Sequence, residues 1–159
     1  MVNLESIEAA AARIGASIYE SPLMHSKMLS RLTENSVFLK LENLQMTGAF
    51  KERGALNRIL TLTDEERRQG VIAASAGNHG QGVAYHAPQR GIPAQIWMPR
   101  QTPLIKLSAT RAYGADVVLH GDNYDEACEA AIERSVQRKA VFIHPFDDDE
   151  VIAGQGTIG

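Results

Sequence analysis

Residues 70–82 read GVIAASAGNHGQG, and this stretch decides the fold. Its apolar part, residues 71–74, is short and β-branched at its start, which is typical of a buried strand. Small residues follow and lead into a segment of helical character that begins near His79. The stretch therefore predicts a strand, a tight turn and a helix. Because the first N–H groups of a helix have no partner inside it, the turn also predicts an anion site for a carboxylate or a phosphate.

Three further apolar runs follow toward the C-terminus. They are AQIWMP (94–99), ADVVLHG (115–121) and AVFIHPF (140–146), with segments of helical character between them. Short apolar strands that alternate with helices are typical of a parallel sheet covered by crossover helices. The middle of the chain is therefore predicted to be α/β.

Capping residues predict where several helices begin and end. Thr63 with Glu66 forms a capping box, and Gly70 would end that helix. Thr102 before Pro103 predicts a cap followed by a first-turn proline. Asn123 with Glu126 predicts a further helix start. Pro88 should end or kink the helix that begins near His79.

The two ends of the chain give simpler patterns. Residues 4–14 place apolar side chains at helical spacing between Asn3, a possible cap, and Gly15, a possible stop. Residues 36–42, SVFLKLE, alternate apolar and polar side chains and predict a half-buried strand. The final stretch, VIAGQGTIG (151–159), predicts a loop or the opening turn of a further element.

Composition limits the partners. The chain has 159 residues, 44% of them hydrophobic, with a net charge of -3, so it has no basic field for nucleic acid or an anionic membrane. Residues 1–16 contain neither a basic leader nor a continuous apolar run, so we expect no signal peptide or membrane span there. Cys128 is the single cysteine, which excludes an internal disulfide and favours a cytoplasmic location. Its helical spacing predicts core packing.

Several alternative sites find less support. The glycines at 77, 80 and 82 do not follow the Rossmann order, so a nicotinamide cofactor is disfavoured, and a tight turn that needs glycine accounts for them equally well. The histidines show no metal-ligand spacing, so no metal site is predicted. The acidic run DDDE (147–150) is more typical of a solvated helix start than of a cation site.

The stretch QMTGAFKERGA (45–55) places Lys51 at the start of a predicted helix. Alone, this lysine would be a solvated surface residue. Together with Ser-Ala-Gly-Asn-His at 75–79, however, it resembles the fold-type II pyridoxal phosphate (PLP) enzymes, in the branch of threonine/serine dehydratases and serine racemases. The similarity extends through residues 19–30, 39–55, 75–85, 113–121 and 144–159.

The resemblance implies a role for each matching residue. Lys51 would bind PLP covalently and move the substrate's Cα proton, and Phe50 would lie against the cofactor ring. Asn78 would bind the phenolic oxygen of the cofactor. The substrate carboxylate would be bound by Ser75, Ala76, Gly77, Asn78 and His79. The implied reaction is elimination of ammonia from threonine or serine, which gives a 2-oxo acid.

Racemases of the branch carry a second serine in this loop, which acts as proton donor, whereas Ala76 has no proton to donate; the resemblance therefore favours dehydration over racemisation. It also implies an incomplete tryptophan synthase β-like fold. Residues 1–61 would begin the large PLP domain, residues 62–146 would form the small α/β domain, and residues 147–159 would return to the large domain. The loop for the cofactor phosphate would lie outside this chain. A homo-oligomer is implied, and a noncatalytic binding fragment stays an alternative.

Overall fold

The computed structural model describes all 159 residues, with eight α-helices, three short 3₁₀ helices and six strands. In chain order the elements are α1 (Leu4–Ile14), β1 (Leu23–His25), α2 (Lys27–Thr33), β2 (Phe38–Lys40), α3 (Lys51–Leu60), α4 (Asp64–Gln69), β3 (Val71–Ala74), α5 (Asn78–His86), β4 (Ala94–Met98), α6 (Leu104–Ala112), β5 (Asp116–Leu119), α7 (Tyr124–Arg138), β6 (Val141–Phe142) and α8 (Asp149–Gly156). No helix combines the length and the apolar character that crossing a membrane requires.

Four strands form a parallel sheet in the order β5-β4-β3-β6. Strand β3 is central, and Val71 pairs with Ala94 of β4 on one side and with Val141 of β6 on the other. All four residues of β3 are buried, as expected for a strand with both faces covered. The predicted α/β fold with a parallel sheet and crossover helices is confirmed.

The two faces of β3 pack against different helices. Val71 and Ala73 lie in the main core with Ala55 of α3 and Val83 of α5. Ile72 and Ala74 face the opposite side, where they pack with Ala131 of α7 and with the half-buried Cys128. The single cysteine therefore packs against the sheet, as its helical spacing predicted. Three other side chains that share the helical face predicted for Cys128 are exposed, however: Tyr124, Ile132 and Val136.

Glycines allow the helices around α3 to approach closely. A Cβ on Gly82 of α5 would lie 3.0 Å from the Cα of Glu52 in α3, and a Cβ on Gly80 would lie 2.5 Å from the carbonyl oxygen of Ser75. Gly77 has a φ of -134°, and its Cβ position is open. The predicted need for glycine in a tight strand-to-helix turn is therefore confirmed at Gly80, whose Cβ would clash with the turn residue Ser75, but not at Gly77.

Most predicted helix ends are confirmed. Asn3, Thr63 and Asn123 each accept a hydrogen bond from the backbone of the first turn that they cap. Helix α5 ends before Pro88, which begins a short 3₁₀ helix. The predicted cap at Thr102 is wrong: α6 begins without a side-chain cap, and the buried Thr102 hydroxyl has no partner.

Two segments outside the four-stranded sheet differ in part from their predictions. The predicted strand over 36–42 is present as β2, antiparallel to β1, but Phe38 and Leu39 are exposed rather than half-buried. The C-terminal stretch, predicted as a loop or the opening turn of a further element, is mostly helix α8, which Asp148 caps as the acidic run predicted. Glycines lower helix propensity, and packing of α8 on α3 outweighs this cost. The domain boundaries at 61 and 146 stay predictions.

Candidate active site

The site is built where the carboxyl ends of β3 and β6 meet at one edge of the sheet. After β3 the chain turns through residues 75–77 into α5, and after β6 it continues through residues 143–145. The Ile143 N–H donates to the carbonyl oxygen of Ile72 at 2.8 Å, which keeps the two chains side by side up to this edge. In open α/β sheets ligands bind outside the carboxyl ends of the strands.

Lys51 is the first residue of α3, as predicted. The turn before it uses Gly48 at a φ of +73°, a conformation that favours glycine. The Nζ of Lys51 donates to the carbonyl oxygen of Pro145 at 2.8 Å and lies 5.6 Å from the centroid of the Phe50 ring. The Lys51 side chain is half-buried, and 38% of Phe50 is exposed. Lys51 thus joins the start of α3 to the segment that follows β6.

The turn after β3 supplies backbone donors. The N–H of Ser75 still belongs to the sheet and donates to the carbonyl oxygen of Trp97 at 3.0 Å, while the Ser75 hydroxyl accepts from the Gly77 N–H at 3.1 Å. No side chain caps α5, and Asn78, its first residue, is exposed. The helix start therefore keeps the N–H groups and the positive end of the dipole that the sequence predicted for an anion site.

His79 has a different environment from the rest of the turn. Its side chain is buried, and Nε2 lies 3.0 Å from the carbonyl oxygen of Ile143. Burial, with a smaller contribution from the positive charge of Lys51, lowers the pKa of His79 to about 4. The imidazole is therefore neutral at pH 7; because a carbonyl oxygen only accepts, Nε2 carries the proton and donates. Nδ1 is buried and has no partner.

Two polar residues near Lys51 were missed by the sequence reasoning. Glu52 is fully buried, and its Oε2 accepts from the N–H of Thr47 at 2.7 Å and from the Thr47 hydroxyl at 2.6 Å. Gln155 of α8 accepts from the Gly54 N–H at 3.1 Å and donates to the Lys51 carbonyl oxygen at 3.3 Å. Both contacts hold the first turn of α3. Only the Thr47–Glu52 spacing carried a local signal, because Gln155 is distant in sequence.

The structure brings together most of the predicted site residues. The turn that holds Ser75, Ala76, Gly77 and Asn78 lies at the sheet edge, where Lys51 binds the adjoining segment through Pro145. Lys51 is close enough to His79 for its charge to act on the imidazole. The imidazole itself, however, is turned onto Ile143. The result is a half-buried primary amine beside an uncapped helix start.

These features define an α/β protein in which a half-buried lysine amine and an uncapped helix start lie at one edge of the sheet. The family follows from the sequence as a whole: the pyridoxal-phosphate dependent enzyme family matches residues 14–159, and the chain belongs to it. The resemblance to PLP enzymes, and with it the cofactor, is confirmed.

Individual relatives are similar over nearly the whole chain. L-threonine ammonia-lyase of Thermotoga maritima is 52% identical over 159 residues, which are 100% of this chain and 40% of the relative. The processed form of threonine deaminase isoform 2 from Solanum lycopersicum has a TM-score of 0.88 and 43% identity, over 98% of this chain and 44% of that chain. Maize serine racemase has a TM-score of 0.94 and 36% identity, over 99% of this chain and 48% of that chain. This chain therefore spans less than half the length of these relatives.

The residues present fit the reactive end of PLP. To bond covalently with a protein, an aldehyde needs a primary amine that no carboxylate holds in an ion pair. Lys51 forms no ion pair, and its single hydrogen bond goes to a neutral carbonyl oxygen. The uncapped start of α5 leaves backbone N–H groups available at the same edge of the sheet. The described residues therefore suit a polar, anionic group with an aldehyde.

Proposed function

We propose that this chain carries the lysine-bearing part of a PLP-dependent L-threonine/L-serine ammonia-lyase, which converts a hydroxyamino acid to a 2-oxo acid and ammonia. The observation that carries the proposal is the position of the Lys51 amine, 2.8 Å from the carbonyl oxygen of Pro145 at the edge where α5 begins uncapped. The name of the T. maritima relative, L-threonine ammonia-lyase, supports the reaction type.

Each residue has a role that its position supports. Lys51 would hold the cofactor and move the substrate's Cα proton at Nζ, and Phe50, partly exposed next to that amine, would support the cofactor ring. The exposed amide of Asn78 would bind the cofactor's phenolic oxygen. When bound, PLP withdraws electrons from the substrate's Cα and so makes its proton removable.

The turn would orient the substrate. Backbone N–H groups of the turn and of the first turn of α5 would bind the substrate carboxylate, because a helix start favours negative charge. Ala76, Gly77, Asn78 and His79 would take part in this binding through their backbone N–H groups. Ser75, whose N–H is bonded to Trp97, would take part through its hydroxyl. This binding would keep the Cα proton within reach of Lys51.

Serine racemisation is the second candidate, and the likeness to maize serine racemase favours it. Racemisation needs a proton donor on the face opposite Lys51. Ala76, in the middle of the turn, has a methyl side chain that cannot donate a proton. Elimination is therefore the reaction that these residues support better.

The first experiment tests Lys51. The chain is incubated with PLP, reduced with borohydride, and digested, and the labelled lysine is located by mass spectrometry, with Lys51→Ala as the control. Selective labelling at Lys51 over Lys27, Lys40, Lys106 and Lys139 is expected. Labelling scattered over these lysines, or unchanged by Lys51→Ala, contradicts the role of Lys51.

The second experiment tests the reaction. The PLP-loaded protein is given L-threonine or L-serine, and 2-oxo acid and D-serine are measured. Formation of 2-oxo acid in excess of D-serine supports the ammonia-lyase, D-serine in excess supports the racemase, and labelling at Lys51 without either product supports a noncatalytic binding fragment.

We also propose a cytoplasmic homo-oligomer. The single cysteine supports a reducing compartment. Exposed apolar side chains at Met24, Leu32 and Phe38 support burial against another chain surface. Sedimentation velocity over a range of protein concentrations tests the association: a single monomeric species throughout contradicts it.

A further inference from the structure

His79 and Lys51 are bound to the same short segment of chain. The Nε2 of His79 donates to the carbonyl oxygen of Ile143, and the Nζ of Lys51 donates to the carbonyl oxygen of Pro145, two residues later. Both acceptors belong to the segment that leaves β6. The position of the acceptor for the Lys51 amine therefore depends on how firmly the chain at Ile143 is held.

Other contacts restrict the segment from both sides. Before it, the Ile143 N–H donates to the Ile72 carbonyl oxygen at 2.8 Å. After it, the Nδ1 of His144 accepts from the N–H of Phe146 at 3.3 Å and from the N–H of Asp147 at 2.8 Å, which forms a tight local turn. The Ile143 carbonyl lies between these two anchors. His79 supplies the side-chain contact at that point.

We propose that His79 is a positioning residue that holds the segment 143–145 so that the carbonyl oxygen of Pro145 keeps the amine of Lys51 at the edge of the sheet. The inference rests on the proposed role of Lys51 as the cofactor-binding lysine. It differs from a substrate-binding role for the His79 side chain, because the imidazole is buried and its one hydrogen bond goes to Ile143.

A neutral donor suits this position. Burial beside the positive charge of Lys51 makes a second cation costly, and the pKa of His79, lowered to about 4, keeps the ring neutral at pH 7. The groups whose charges act on His79 are Lys51, His144 and Asp148. His79 also stands in the first turn of α5, so the ring joins the anion-binding turn to the segment that holds Lys51.

The test measures how reactive the Lys51 amine is in this chain without PLP. The chain is exposed briefly to an acylating reagent, and labelling at Lys51 is compared by mass spectrometry with labelling at the exposed Lys106. Three variants are compared with the unchanged chain. His79→Leu removes the donor, His79→Gln keeps an N–H donor at the position of Nε2, and His86→Leu removes a second buried imidazole of α5 that has no hydrogen-bond partner.

In His79→Leu, relative acylation of Lys51 is expected to rise roughly fivefold, the change that follows loss of one hydrogen bond with a modest net contribution. His79→Gln and His86→Leu are expected to stay within about twofold of the unchanged chain, since Gln replaces the donor and the His86 ring makes no hydrogen bond to the segment. No rise in His79→Leu, no recovery in His79→Gln, or an equal rise in His86→Leu would each overturn the proposal.

A measurement on the unchanged chain covers the case in which His79→Leu does not fold. Two-bond ¹H–¹⁵N NMR spectra report which ring nitrogen carries the proton. A neutral ring protonated at Nε2 from pH 7 to pH 5 is expected, and an Nδ1-protonated or charged ring would overturn the proposal. Since neither measurement uses PLP or substrate, each can fail while the ammonia-lyase assay succeeds, or the reverse.

Discussion

Gly154 of α8 lies directly against Gly54 of α3: a Cβ on Gly154 would be 2.6 Å from the Cα of Gly54. This approach brings the next residue, Gln155, onto the first turn of α3. There the Gln155 side chain bonds the Gly54 N–H and the Lys51 carbonyl oxygen. The packing of α8 therefore helps to fix the backbone that carries Lys51.

We expect Gly154→Ala to destabilise the fold. The added methyl would also meet the carbonyl oxygen of Arg53 at 2.7 Å, and backbone atoms cannot move aside cheaply. Overpacking of this kind costs about 1–3 kcal/mol. Urea unfolding measures the loss. Gly15→Ala is the matched control, because a Cβ at Gly15 meets nothing within 4 Å and its φ is -52°; an equal loss in both variants would contradict the packing argument.

The buried ion pair between Arg53 and Glu42 gives a second prediction. Two hydrogen bonds join the side chains, at 2.7 Å and 2.8 Å, and the side chains are 7% and 11% exposed. Burial alone would raise the pKa of Glu42, but hydrogen bonds from Arg53 and Ser21, with the charge of Arg53, bring it below its ordinary value. Arg53→Met leaves this carboxylate unpaired and is expected to cost about 3–5 kcal/mol of unfolding free energy.

A double variant distinguishes the effect of the ion pair on stability from the effect of lost packing. Glu42→Leu combined with Arg53→Met removes both charges, so the double variant should recover much of the stability that Arg53→Met loses. Arg111→Met, at an exposed position, is the control and should change the unfolding free energy by less than about 0.5 kcal/mol. If the losses of the two single variants simply add in the double variant, the two side chains are not coupled.

Patterns of residues close together in the sequence predicted the fold, whereas contacts between residues far apart in the sequence complete the candidate site. The caps at Asn3, Thr63 and Asn123 depend on residues three positions away, so the sequence pattern alone located them. The bond from His79 to Ile143 joins residues 64 positions apart, and the contact of Gln155 with Lys51 joins residues 104 apart. Such contacts exist only once the sheet and the helices have packed. The family resemblance predicted a role for Lys51, but it did not reveal which groups hold the Lys51 amine.

The two threonines predicted as caps should respond differently to valine. The Thr63 hydroxyl accepts from the Glu66 N–H at 3.2 Å, and the Glu66 carboxylate accepts from the Thr63 N–H at 2.7 Å. Thr63→Val is therefore expected to cost about 1 kcal/mol. Thr102→Val removes a buried hydroxyl that has no partner, so the unfolding free energy should stay equal or rise. Equal losses in the two variants would show that Thr102 also acts as a cap.

His86 gives a prediction about acid. Burial lowers its pKa to about 3, while the unfolded chain has the ordinary histidine value of about 6.5. Between these values the unfolded state binds the additional proton, so the unfolding free energy falls as pH decreases from about 6.5 toward 3, by up to about 1.4 kcal/mol per pH unit. His86→Leu removes this dependence. Urea unfolding of both proteins from pH 7 to pH 4 measures it; the variant should lose less stability than the unchanged chain, and parallel curves would mean that His86 does not stay neutral in the fold.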